Sequence, residues 1–133
     1  MEIRKATAND LIHIIRSLQN KDIEYNTTFH AKEDIMNNRL FVAIIDDKIV
    51  GSCAIVEETE YNYTAIKRVC VYNKKNCGKG IASALIGYIC GLGIDNLGAT
   101  PWNNPSMIRV FEKYGFTYQY TFMENYRFYL KKG

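Results

Sequence analysis

The sequence predicts an α+β domain built on a mixed, mainly antiparallel twisted sheet flanked by helices. Three observations point there. Two apolar, β-branched runs, 40–45 and 49–56, are separated only by Asp46, Asp47 and Lys48, which is a hairpin signature. A third such run, 64–71, leads through a glycine-bearing segment into a helical pattern. A second helical pattern, bracketed by Asn104-Pro105 and Gly115, is followed by a closing pair of aromatic-rich runs. The predicted order of elements is βα(α)βββαβαββ. A chain of 133 residues has room for one continuous core, so residues 1–133 are expected to form a single domain.

Each element has a local reason. Residues 1–5 read as a short strand. Asn9 or Asp10 then starts a helix whose apolar face is Leu11, Ile14, Ile15 and Leu18, at helical spacing. A second helix is expected between Thr28 and Asn37. After the hairpin, residues 57–62 read as a turn, and the third run follows. The helix after the glycines is expected over 80–92, with Gly87 and Gly91 inside it. Glycine costs about 1 kcal/mol against alanine in a helix, so close packing against the sheet is the expected reason for both. Residues 95–100 form a short strand candidate. Asn104 can cap the next helix with Pro105 at its first position, and Gly115 ends it. Runs 117–122 and 126–131 read as a hairpin around Glu124 and Asn125.

Composition excludes several classes. Apolar residues make up 47% and charged residues 23%, an ordinary globular balance. Apolar stretches fall short of a spanning helix, so no membrane partner is expected. Residues 1–20 open with Glu2, Arg4 and Lys5 and lack an apolar leader core, which makes a cytoplasmic protein the default expectation. The four cysteines (Cys53, Cys70, Cys77, Cys90) form no CxxC pair, and His13 and His30 are isolated, so no metal is expected. A net charge of +3 and the short tail YRFYLKK do not make a nucleic-acid surface.

The most informative segment is Cys77 to Ser83, CGKGIAS. Two glycines between a strand and a helix let the backbone turn tightly and bring its N–H groups close to a ligand. The first turn of the helix adds unpaired amides and the positive end of the dipole, which suit a phosphate. A Walker A loop needs a hydroxyl after its GK pair, and here Gly78-Lys79 is followed by Gly80. A dinucleotide fingerprint needs GxGxxG in the first βαβ unit. Here GKGIAS ends in Ser83 and follows the third strand of a hairpin-like series. Both patterns fail.

The segment that fits resembles the glycine loop of the GNAT superfamily of acetyl-CoA-dependent N-acetyltransferases, Gln/Arg-x-x-Gly-x-Gly/Ala. The resemblance extends to MEIRKATANDL at the start, FVAIIDDKIVGSCAI in the middle and NNPSMIRVFEKYGF near the end. It implies the GNAT-like acyl-CoA N-acyltransferase fold, with acetyl-CoA as co-substrate. It further implies that Cys77, Gly78, Lys79, Gly80, Ile81, Ala82 and Ser83 surround the CoA pyrophosphate. By the same resemblance, the main chain of Val69, Cys70 and Val71 holds the acetyl and pantetheine groups. Asn104 matches the asparagine that contacts the pantetheine arm, and the same side chain could also cap its helix.

Two positions depart from the family. Cys77 replaces the usual Gln or Arg. By the resemblance, Phe111 is expected beside the cofactor, where relatives often have a tyrosine that protonates the departing thiolate, and it has no proton to give. Run 64–71 also lacks the carboxylate that serves many relatives as a base. Glu58 and Glu60, just before it, are the candidate bases, reaching the site through water. Tyr114, three residues after Phe111 on one helix, is the candidate acid. The implied reaction is transfer of acetyl to a primary amine of a small molecule or peptide by direct attack in a ternary complex. The alternative is an acyl-CoA-binding sensor or interaction module that lost catalysis. Residues 19–38 and 57–62, with Asp22, Glu24, Glu57, Glu58 and Glu60, are where selectivity for a cationic amine is expected. A homodimer is expected only by family analogy.

Overall fold

A computed structural model describes residues 1–18, 26–101 and 104–133. Its strands are β1 (Glu2–Lys5), β2 (Leu40–Ile45), β3 (Lys48–Glu58), β4 (Tyr63–Val71), β5 (Asn96–Ala99), β6 (Thr117–Phe122) and β7 (Tyr126–Lys132). Its helices are α1 (Leu11–Leu18), α2 (Asn26–Met36), α3 (Ile81–Cys90) and α4 (Pro105–Lys113), with 3₁₀ turns at Ala8–Asp10 and Lys74–Asn76. The strands form one mixed sheet in the order β1-β2-β3-β4-β5-β7-β6. β5 runs parallel to β4, while the β1/β2, β2/β3, β5/β7 and β6/β7 pairs are antiparallel. The α+β class and the predicted order of elements are both borne out.

The chain divides into two compact units, Met1–Ala54 with Arg68–Leu85, and Ile55–Lys67 with Ile86–Gly133. In the first, Ile14, Ala31, Ile35, Leu40, Val42 and Tyr72 form a buried cluster that joins α1 and α2 to the sheet. Thr7 opens the first helical turn, its backbone N–H donating to Asp10 Oδ2 at 2.7 Å. Arg4 grips the same carboxylate through two nitrogens at 2.7 and 3.0 Å. Where the chain leaves β4, the Tyr72 N–H donates to the Val50 carbonyl at 2.9 Å, and its hydroxyl shares a hydrogen bond with Ser52. That pins the chain directly ahead of the glycine segment.

In the second unit, Thr64, Ala65 and Ile66 of β4 pair with Leu97, Gly98 and Ala99 of β5. A Cβ on Gly98 would fall 2.5 Å from the Tyr63 ring and 3.0 Å from Phe128, so glycine lets both rings lie against the strand. Ile108 and Phe111 are the buried face of α4, and Phe111 meets Phe116 edge-on with centroids 5.0 Å apart.

Three details differ from expectation. β3 continues through Glu57 and Glu58, which leaves a shorter turn before β4. α3 stops at Cys90, so Gly91 lies beyond it, and a Cβ there would meet no atom closer than 3.4 Å. Gly87 is closely packed, but not against the sheet: a Cβ there would lie 2.7 Å from the Tyr114 hydroxyl oxygen. Asp22 and Glu24 lie outside the described residues.

Candidate functional site

The glycine segment and the strand that feeds it belong to the first unit. β4 is paired with β5 only through Ile66 among the described residues, and Arg68 then takes a left-handed φ of 54°. The kink precedes Val69, Cys70 and Val71, all half-buried. The following 3₁₀ turn is held by its own polar groups. Asn76 Nδ2 donates to the Tyr72 carbonyl at 2.8 Å, and the Lys75 N–H donates to Asn73 Oδ1 at 3.3 Å.

Cys77, Gly78, Lys79 and Gly80 are exposed. Gly78 and Gly80 have φ of +80° and +78°, and a Cβ on either would meet nothing within 4 Å. Glycine is therefore required here by backbone conformation rather than by crowding, and the space over the loop is open. The Ala84 N–H donates to the Gly80 carbonyl at 2.9 Å, closing the first turn of α3. Ile81, 2% exposed, anchors that turn, while Ala82 and Ser83 are half-buried. A Cβ on Gly51 would collide with Ile81 Cγ2 at 2.8 Å and the Cys70 carbonyl at 2.9 Å, so β3, β4 and α3 approach closely through that glycine. The result is an open loop at a helix N-terminus, with the exposed lysines Lys75 before it and Lys79 within it. Such a cradle suits a phosphate or diphosphate.

Two thiols below the cradle, Cys70 and Cys53, are held in their protonated form. Burial, with Cys77 nearby as the lesser cause, pushes the Cys70 thiol up to about 11, and burial pushes Cys53 up to about 12. Tyr72 is likewise raised by burial and keeps its proton. Among the described residues, no three His, Cys, Asp or Glu side chains come together as a metal site, and no helix is long and apolar enough to cross a membrane.

The remaining candidates lie in the second unit. Glu58 Oε1 accepts an ion pair from Lys67 Nζ at 3.0 Å, and lines a cleft of about 330 Å³ with Glu57, Thr59, Tyr63 and Asp95. That cleft sits where β4 begins. Glu60 is exposed in the turn beyond β3. Tyr114 is the half-buried C-cap of α4, its hydroxyl against Gly87. Phe111 is 2% exposed and offers a cofactor almost no surface. Asn104 caps α4, its Oδ1 accepting from the Met107 N–H at 3.2 Å.

Sequence reading missed the fixed geometry ahead of the loop, namely the left-handed Arg68 and its partner Asp34. A signal for Asp34 did exist. It sits three residues after Ala31 and one before Ile35, so a helical wheel puts a carboxylate among apolar positions.

An acyltransferase-type sheet with a glycine cradle between β4 and α3 is the class this architecture defines. Residues 36–118, more than half of the chain, match the family described as the acetyltransferase (GNAT) domain, and the chain belongs to that family. No curated protein sequence matches it significantly. Among solved structures it is similar to a GNAT-family acetyltransferase from Bacillus cereus ATCC 10987, with 20% identity, TM-score 0.85, and 98% of this chain and 96% of that one covered. A GNAT-family acetyltransferase from Streptococcus agalactiae 2603 is 20% identical, with TM-score 0.79 and coverage of 99% and 95%. A ribosomal-protein-alanine N-acetyltransferase from Brucella melitensis is 16% identical, with TM-score 0.74 and 99% of each chain covered. At these identities the likeness is one of fold.

Proposed function

We propose that the protein transfers acetyl from acetyl-CoA to a primary amine by direct attack in a ternary complex. The observation that carries this reading is the cradle itself: two left-handed glycines with open space above them, at the start of α3. In the proposed complex, backbone N–H groups of Gly78 to Ala82, with Ser83, hold the CoA pyrophosphate, and Lys79 adds positive charge. The pantetheine arm follows the main chain of Val69 to Val71, and Asn104 contacts it while capping α4. A backbone N–H near Cys70 or Val71 donates to the thioester oxygen as negative charge develops there.

An amine of pKa about 10.4 must first lose a proton, at a cost of about 4.6 kcal/mol at pH 7. β4 carries no carboxylate, and Glu58 is engaged by Lys67 at 3.0 Å. Water therefore serves as the proton acceptor in this reading. The neutral nitrogen attacks the thioester carbon, a C–N bond forms, the C–S bond breaks, and the proton released from nitrogen returns through water to the CoA thiolate. Phe111 takes no part. Tyr114 would deliver a proton only by leaving its contact with α3.

The buried Phe111 and the acid-free β4 favour a second reading, a CoA-binding sensor without turnover. One assay separates them. Purified protein with acetyl-CoA is offered spermidine, an aminoglycoside, free amino acids and a peptide with N-terminal alanine, and free thiol is measured. The name of the Brucella relative is the reason for including the peptide. Thiol release dependent on one amine class supports the transferase. Tight acetyl-CoA binding with no release on any of them supports the sensor. Failure to bind CoA at all would overturn both.

A further inference from the structure

The left-handed residue in β4 is not left to hold itself. Asp34, on α2, is 1% exposed, and its carboxylate receives three hydrogen bonds from two arginines. Arg68 forks onto it, Nε to Oδ2 at 2.8 Å and Nη2 to Oδ1 at 2.7 Å. Arg39 Nε shares Oδ1 at 2.7 Å, and the Arg39 backbone N–H donates to the Asp34 carbonyl at 2.9 Å. Both arginines keep a path to water, with side chains 29% and 21% exposed for Arg39 and Arg68. Asp34 is therefore a buried anchor, fixed by Arg39 at the start of β2, that reaches across to one backbone position of β4.

That position is unusual. Arg68 has φ of 54° inside a strand, a conformation that disfavours any residue with a Cβ and is kept only where surroundings enforce it. A left-handed residue inside a strand bends the chain there and re-aims the groups after it. The groups re-aimed here are the backbone amides of Val69, Cys70 and Val71. A planar, bidentate guanidinium–carboxylate pair is suited to this task, because it fixes direction as well as distance.

We infer that Asp34 is a positioning residue: through Arg68 it holds the kink of β4 in its left-handed form, and so aims the Val69–Val71 amides at the thioester carbonyl. The inference rests on the acetyl-CoA reading above. It needs no further co-reactant and no motion of the loop. It also links α2 to the donor site, so a change on that helix is transmitted to β4 through a single carboxylate.

The test reads the carbonyl directly. Acetyl-CoA carrying ¹³C at the acetyl carbonyl is bound to the full-length protein, and its infrared stretch is compared with that in buffer. Donation by the β4 amides lowers the frequency in wild type. In Asp34→Asn the downshift shrinks and any turnover slows by about 10- to 100-fold, as small misplacements of reacting groups do. The dissociation constant of CoA, set by the glycine loop, stays within about twofold of wild type, the scatter expected for a remote site. Glycine adopts the left-handed region without a clamp, so Arg68→Gly combined with Asp34→Asn restores the downshift that Asp34→Asn alone loses. A merely structural role would give no such rescue. A full downshift in Asp34→Asn, or no recovery in the double variant, overturns the inference while leaving the transferase reading intact. If Asp34→Asn does not fold, Arg68→Gly alone is compared with Arg68→Lys. The glycine variant must keep the downshift and the lysine variant must lose it. A wild-type protein that fails to bind acetyl-CoA instead overturns the functional reading, and this inference with it.

Discussion

At the residue scale, charge placement explains more than charge number. Asp10 is held by the Arg4 fork, and the Thr7 N–H adds to it against the cost of burial, which keeps its carboxyl at about 2 against an ordinary 3.8. A value depressed in the folded state stabilises the fold fully above the unfolded pKa, and that contribution is lost as pH falls through the folded one. The depression corresponds to about 2 kcal/mol before solvent screening. With the Arg4 side chain 37% exposed, about 1 kcal/mol is the better expectation. Asp10→Asn is therefore expected to lower stability by about 1 kcal/mol at pH 7. The gap to wild type should narrow below about pH 4 and close near pH 2. Urea unfolding at pH 7, 4 and 3 measures it, and a gap as wide at pH 3 as at pH 7 would refute the assignment. The thiols give a second residue-scale expectation. Cys77 is exposed at the cradle, whereas Cys53 and Cys70 are buried or half-buried with raised pKa values. A maleimide should modify Cys77 first, and CoA should slow that reaction. Earlier labelling of Cys53, read by peptide mass, would contradict the packing.

At the element scale, the loop and its helix separate two effects of one position. Gly80 sits at φ +78°, and a Cβ there would have nothing within 4 Å of it. Gly80→Ala therefore meets no clash and costs only the conformational penalty, about 1–2 kcal/mol. Gly80→Asp carries a similar penalty and adds a carboxylate where the pyrophosphate is proposed to lie. CoA affinity should fall modestly in the first variant and disappear in the second, with near-native circular dichroism in both. Unchanged CoA affinity in Gly80→Asp would remove the loop from the donor site. This cradle was legible in the sequence because its requirements are local: two glycines, a strand before them and an apolar helix after. The cap at Asn104 was legible for the same reason. The extension of β3 through Glu58 was not, because its Lys67 partner comes from the next strand, and two glutamates followed by polar residues read as a turn. The Asp34–Arg68 pair was still less accessible. Its members lie 34 residues apart, and nothing local to Arg68 announces a left-handed residue. Gly87 lay between these cases. Its presence signalled close packing, but the identity of the neighbour, Tyr114, depended on how two helices meet.

At the scale of the whole molecule, the question is whether the two compact units melt together. β3, β4 and α3 each run through both, so no linker separates them along the chain. Shared elements favour one cooperative transition, as is usual for chains of this length. The proposed pyrophosphate cradle lies wholly within the first unit, between Arg68 and Leu85. A ligand that binds only the folded protein, at about 100 times its dissociation constant, stabilises by about 2.7 kcal/mol. For a chain of this size that should raise Tm by about 10 °C. The expected calorimetric trace is a single peak that moves upward as a whole with CoA and does not move in Gly80→Asp. Two peaks, of which CoA shifts only one, would show that the units unfold separately despite their shared strands and helix. In that case the binding energy of the donor would stabilise the cradle without supporting α4 and the β6–β7 hairpin.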